Sequence, residues 1–201
     1  MFKQVLLAAG ISAVLSSAAQ AVVTVNIWED AGGVFSTYSG TLNLAGVSTA
    51  GTFYSSFNEL RPADSAYYRM SSGFDGFIAS ASDETWTTGL TGDHLASAFS
   101  GDTFGFHSTL TNYKTVYFAD DYISGALLSG SMSWAGETLA SLGLIAGSYA
   151  NVMSWGTGDN ADFISMNIRT SVVPIPAGLP LLAGGLGILA LVQKRRKKAV
   201  A

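Results

Sequence analysis

The 201-residue chain contains no cysteine. Disulfides, thiolate nucleophiles and cysteine-based zinc sites are thereby excluded, so a domain made from it must hold by its packed core and backbone hydrogen bonds alone. Histidine is nearly absent. His94 and His107 stand 13 residues apart, and without cysteine that spacing matches no zinc motif. His107 continues the run Phe104-Gly105-Phe106 and reads as a sheet residue. Cations are scarce in the body of the chain. Between residues 22 and 172 only Arg61, Arg69, Lys114 and Arg169 oppose all 14 acidic residues, a net charge of −10. Such a segment repels phosphate, which excludes nucleic acid as a partner, and it suits solubility in a salty or extracellular setting.

Catalytic signatures are missing too. There is no Gly-x-Ser-x-Gly elbow, no P-loop and no His-Glu-x-x-His, so no catalytic residue and no cofactor is assigned. Fourteen acids always contain some pair that could serve glycoside hydrolysis, so that pattern selects nothing. Gly156-Thr157-Gly158-Asp159-Asn160-Ala161-Asp162 resembles one turn of a calcium-binding β-roll repeat, with Asp159, Asn160 and Asp162 as oxygen donors. A β-roll repeats that turn many times and this chain has it once, so an ordinary Gly/Asx turn is the stronger reading and no metal is assigned. Asp120-Asp121 reads the same way, unless the two acidic turns meet in space. Trp28, Trp86, Trp134 and Trp155 could stack on sugar rings, although most tryptophans in a domain of this size belong to its core.

What is present is strand pattern. Val23-Thr24-Val25-Asn26-Ile27-Trp28 alternates with period two, as do 34–38 and 41–45. Further candidates are 67–70, 74–79, 85–88, 103–107, 115–118, 131–134, 148–155 and 163–169, separated by Gly- and Asx-rich turns. The one helical candidate is 137–144, limited by Gly143. No heptads and no internal repeat appear. The spacing predicts an all-β fold, a single jelly-roll-like β-sandwich over residues 22–172, able to bury roughly 68–70% of its unfolded surface.

Both ends of the chain are addresses. Met1-Phe2-Lys3, an apolar stretch from Val5 to Leu15, and Ala19-Gln20-Ala21 form a secretory signal over residues 1–21, with cleavage after Ala21. This implies the Sec translocon and signal peptidase as partners. At the other end, residues 173–198 are tripartite. Val173-Pro174-Ile175-Pro176-Ala177 precedes an apolar helix over about 178–193, and Lys194-Arg195-Arg196-Lys197-Lys198 follows as a basic stop. The 18 uncharged residues from Ile175 to Val192 would cover about 27 Å as a helix, against roughly 30 Å of bilayer hydrocarbon. The cations stay on the cytoplasmic side, which leaves the domain outside. Pro174 and Pro176 hold the chain extended just before the helix.

This tail resembles the PEP-CTERM sorting signals of Gram-negative bacteria, in the variant written V-P-L-P-A, with Ile175 in place of Leu. The resemblance implies processing by an exosortase and transfer from an inner-membrane-anchored precursor to the cell surface or exopolysaccharide. A second likeness covers Tyr122-Ile123-Ser124-Gly125-Ala126, Leu128-Ser129-Gly130-Ser131, 139–144, Gly147-Ser148-Tyr149 and Trp155-Gly156-Thr157-Gly158. That pattern is similar to one in uncharacterised proteins with the same tail, and it brings no activity with it. The expectation is an exported, non-enzymatic protein of the cell surface or extracellular matrix. Its first rival is a carbohydrate-binding module assisted by calcium, favoured by an exposed Trp or Tyr on a flat face beside the acidic turns. The second rival is a secreted glycan-active enzyme, which needs two carboxylates across a cleft.

Overall fold

The computed structural model describes residues 22–170, except Gly46, Ser72, Ser82, Asp83 and residues 109–113. The signal region with Ala19 and Ala21, the motif at 173–177, the apolar span and the basic stop at 194–198 lie outside the described residues. No helix among the described residues is long and apolar enough to cross a membrane.

Alternation in the sequence becomes alternation across the sheet. In β1 (Val22–Asp30) Val23, Val25 and Ile27 are fully buried, while Thr24, Asn26 and Trp28 face the other way. Each buried Val or Ile contributes about 1.5–3 kcal/mol. β2 (Gly33–Thr41) pairs antiparallel with β1, sets Phe35 opposite Trp28, and buries Val34, Ser36 and Tyr38. Gly33 closes the turn between them at φ +137°, where a Cβ would collide with the Trp134 carbonyl oxygen. Only glycine fits there.

The chain continues through β3 (Ser48–Phe53), β4 (Asn58–Arg61), β5 (Ala66–Arg69), β6 (Phe74–Ile78), β7 (Ser80–Ala81), β8 (His94–Leu95) and β9 (Ala98–Gly101). It ends with β10 (Phe104–His107), β11 (Thr115–Ala119), β12 (Leu127–Ala135), β13 (Gly147–Trp155) and β14 (Asp162–Thr170). The fold is all-β, in two seven-stranded sheets. The first has the order β7-β13-β14-β1-β2-β12-β9, the second β3-β6-β11-β10-β5-β4-β8. β14 runs parallel to β1. Thr24 Oγ1 meets Ser165 Oγ at 3.1 Å, and Asn167 Nδ2 donates to Asn26 Oδ1 at 3.3 Å. Both pairs are 141 residues apart in sequence, a constant offset that antiparallel neighbours cannot give.

One core cluster draws on both sheets. Val23, Ile27 and Tyr38 of the first join Tyr67, Phe104, Phe106 and Phe118 of the second, with Trp86 and Leu142 added from loops. A smaller cluster of Ala66, Tyr68, Met70 and Phe74 sits on the other side of the second sheet, with Phe57 and Tyr117 against it.

Three segments depart from the sequence reading. Residues 41–45 are not a strand of their own: β2 runs on to Thr41, and Asn43 then turns the chain by accepting the Ala45 N–H on its side chain at 2.9 Å. Residues 85–88 make a single bridge, Thr87 with Leu144, and their role is to insert Trp86 into the core. Residues 137–144 form one helical turn and no helix. Thr138 and Ser141 cap each other at 2.8 and 3.0 Å, and the turn closes at once through Leu144 N–H to Leu139 O and Gly143 N–H to Ala140 O. Gly143 at φ +63° makes that stop, and a Cβ there would lie 2.8 Å from Leu90 Cβ. The structure adds β3, β4, β7, β8 and β9, which are short or built of small residues and show no clear alternation.

Candidate functional site

The outward face of the first sheet is the best candidate. β1 presents Thr24, Asn26 and Trp28; β2 presents Phe35, Thr37 and Ser39; β14 presents Phe163, Ser165 and Asn167. β12 alternates buried Leu128, Met132 and Trp134 with outward Ser129, Ser131 and Ser133. Trp28 and Phe35 stack across their strands, with ring centroids 5.9 Å apart and planes within 20°. Beside them lies a shallow groove of about 310 Å³, lined also by Thr37, Phe99, Ser100, Ser131 and Ser133. Ser100 Oγ and Ser131 Oγ are 2.9 Å apart on its floor. Among the described outward positions of β1, β2, β9, β12 and β14, the charged side chains are Asp30 and Arg169, both at one end of their strands. A second groove, of about 290 Å³, is lined by Val47, Ser48, Ile78, Ala79, Ser80, Ser154, Trp155 and Gly156.

The four tryptophans divide clearly. Trp86, Trp134 and Trp155 are in the core, at 1%, 1% and 8% exposure. The indole N–H groups of Trp134 and Trp155 donate to the carbonyls of His94 and Asn43. Trp28 alone is half-buried on an outer face.

Of the calcium candidates, Asp162 and Asn160 are already engaged within the protein. Asp162 is buried, and its carboxylate already accepts Asn43 N–H at 2.6 Å and Phe163 N–H at 3.0 Å. Burial pushes its pKa up to about 6, against the downward pull of those two bonds. Asn160 Oδ1 accepts from Asn43 Nδ2 at 3.4 Å, and the Asp159 side chain lies outside the described atoms. The loop after Asp120-Asp121 leans on the same 42–44 segment, with Ser124 Oγ accepting Leu44 N–H at 3.0 Å. Among the described residues no three His, Asp or Glu side chains gather as a metal site. The parallel offset places Asp162 about 20 Å along the sheet from Trp28, so the aromatic step and this acidic turn stand at opposite ends of the face.

His94 lies in β8 beside Asp93, whose carboxylate is 3.4 Å from Arg61 Nε. His107 ends β10, buried, with the Tyr68 and Tyr117 hydroxyls at 3.1 and 3.2 Å from its Nδ1. Reading the sequence for chemistry passes over Phe35, Thr37, Ser100, Ser131 and Ser133. Two of its patterns nevertheless point to them: serine at every second position from 129 to 133 marks a solvent face, and Phe35 alternates with buried Val34 and Ser36.

No family model, curated protein or solved structure matches the chain.

Proposed function

We infer that the chain is an exported, non-enzymatic protein of the cell surface or extracellular matrix, sorted through its C-terminal signal. One observation carries this reading. The described strands, from β1 (Val22–Asp30) to β14 (Asp162–Thr170), all fall within the interval between the two expected processing sites. Signal peptidase and the Sec translocon act at the first end. A processing enzyme of the exosortase type acts at the second, on an inner-membrane-anchored precursor. The winding is taken as jelly-roll-like, because the chain changes sheet six times along its fourteen strands.

The non-enzymatic part rests on the sequence, which carries no nucleophile elbow, P-loop or His-Glu-x-x-His; the glycan-active rival would require a carboxylate pair across a cleft. A second reading, a carbohydrate-binding module, is favoured by the Trp28–Phe35 pair. Its calcium-assisted form draws little support, since Asp162 is engaged with backbone and stands far from Trp28.

The sorting reading is tested on the double variant Pro174→Ala, Pro176→Ala in the native host. The expected outcome is an uncut, membrane-retained chain, because the extended segment just outside the bilayer is lost. Mass spectrometry of the mature C-terminus decides. Trimming at the same bond, with release as efficient as the parent's, would overturn the reading.

A further inference from the structure

We propose that the outer face of the first sheet binds an uncharged polysaccharide, with a sugar ring stacked on the Trp28–Phe35 step and its hydroxyls bonded to Thr37, Ser100, Ser131 and Ser133. The proposal rests on the carbohydrate-binding reading and adds to it the class of glycan and the residues that meet it.

Three observations converge. The aromatic pair is the step of a groove whose remaining lining mixes hydroxyls of Thr37, Ser100, Ser131 and Ser133 with the Phe99 ring. Hydroxyl side chains both donate and accept, as sugar hydroxyls do, so a row of them offers matched partners without fixing one orientation. The groove's 310 Å³ is at the small end of ligand clefts, which run from roughly 300 to 1,000 Å³.

Charge selects the class. Among the outward strand positions Asp30 and Arg169 offset each other at one end; nearby, Asp102 accepts the Ser129 N–H at 2.8 Å and the Arg69 guanidinium lies 5.1 Å from the Phe99 ring, so no charge of one sign dominates the groove. The segment from 22 to 172 carries −10, so a uronate or otherwise anionic polymer meets repulsion with no row of cations to offset it. Composition also argues against a protein partner. Serine is depleted at protein interfaces, where several aromatic anchors usually form the buried centre. Here the Trp28–Phe35 pair and Phe99 stand among serines and a threonine, which supply most of the groove's remaining lining.

The full-length protein in mild detergent is run in affinity electrophoresis through gels holding dextran, soluble starch or xyloglucan, all uncharged, and alginate or polygalacturonate, both acidic. Retardation by at least one uncharged polymer, insensitive to salt, is expected. Trp28→Ala should weaken it about tenfold, the loss of one stacked ring together with its buried area. Trp28→Phe should restore most of it. Should Trp28→Ala fail to fold, the pair Ser131→Ala, Ser133→Ala provides a second reading of the same face, with weakening again expected. Arg169→Gln should leave retardation unchanged. Stronger retardation by the acidic polymers, lost in Arg169→Gln, would overturn the uncharged class while leaving carbohydrate binding in place. No retardation by any of the polymers would overturn the carbohydrate reading itself. Self-association in sedimentation velocity that Trp28→Ala abolishes would assign the face to a second copy of the chain and also overturn the proposal.

Discussion

The two sheets share one core between them and turn unlike faces outward. On the second sheet the outward residues are large and adjacent: Tyr68, Phe74 and Tyr117, with Tyr117 and Phe74 edge to face at 5.5 Å. A loop covers them. Phe57 packs edge-on against Tyr68 and Phe74, and its carbonyl takes the Met70 N–H at 3.0 Å. Arg61 lies 5.7 Å from both the Phe57 and Tyr68 rings and is tied to Glu59 at 2.5 Å and Asp93 at 3.4 Å. On the first sheet the outward aromatics Trp28, Phe35 and Phe163 stand among hydroxyls and amides, and they remain partly open. The same strand geometry thus yields a small second core on one side and an open polar surface on the other. The difference lies in which residues occupy every second position. Clustered aromatics recruit a covering segment; serine rows do not.

The largest test of that contrast is to remove one ring from each face. Phe74 is buried and touches Phe53, Phe57 and Tyr117. Phe74→Ala should cost about 3–5 kcal/mol, the range for truncating a buried aromatic. Trp28→Ala should cost clearly less, because a half-exposed ring leaves no closed cavity. Urea unfolding of the two variants beside the parent gives both values. Equal losses would mean that the first sheet's face is packed as tightly as the second's, and the contrast would fall.

A smaller effect is expected at Asp162, which joins the last strand of the first sheet to the segment leading into β3. Its pKa is pushed up to about 6 by burial, while an unfolded aspartate titrates near roughly 3.9. Between those values the folded chain holds a proton that the unfolded chain has lost. The Asp162 contribution is therefore full below about pH 4 and declines as pH rises through 6, by up to about 3 kcal/mol. Asp162→Asn has no charge to bury and should lack this component. Melting temperatures of parent and variant from pH 4 to 7 should diverge, with the parent relatively stronger at the acid end. Parallel curves would show that the carboxylate is ionised throughout and that its two backbone bonds outweigh its burial.

Much of the fold is legible in the order of the residues. β1, β2, β12 and β14 repeat the period of two in their sequences, so their existence and their buried residues can be read directly. β3 cannot, because Ser48-Thr49-Ala50-Gly51-Thr52-Phe53 offers no apolar alternation; it is a strand because β6 pairs with it. The single turn at 138–144 looks helical because its capping and its apolar residues are those of a helix, and only Gly143 marks the stop. The open face is half legible. Its serines are visible, but Phe35 becomes a partner of Trp28 only through the β1–β2 register, which the turn at Gly33 sets. Asp162 and Asn43 lie 119 residues apart in sequence, and no local pattern announces their contact.

The smallest expected effect contrasts two serines of the first sheet. Ser36 points inward, buried, with its hydroxyl 2.9 Å from the Tyr67 hydroxyl of the opposite sheet. Ser131 points outward, 2.9 Å from Ser100 Oγ on an exposed edge. Ser36→Ala leaves Tyr67 with an unpaired buried hydroxyl and should cost about 1–3 kcal/mol. Ser131→Ala gives up one exposed bond for which water substitutes, so it should stay within about 0.5 kcal/mol of the parent. The two variants make the same chemical change, a hydroxyl for a hydrogen, so a difference in unfolding midpoint measures only which way the strand position faces. If Ser131→Ala costs as much as Ser36→Ala, the outer hydroxyl row is part of what holds the first sheet together. It would then not be free to exchange its bonds with a ligand.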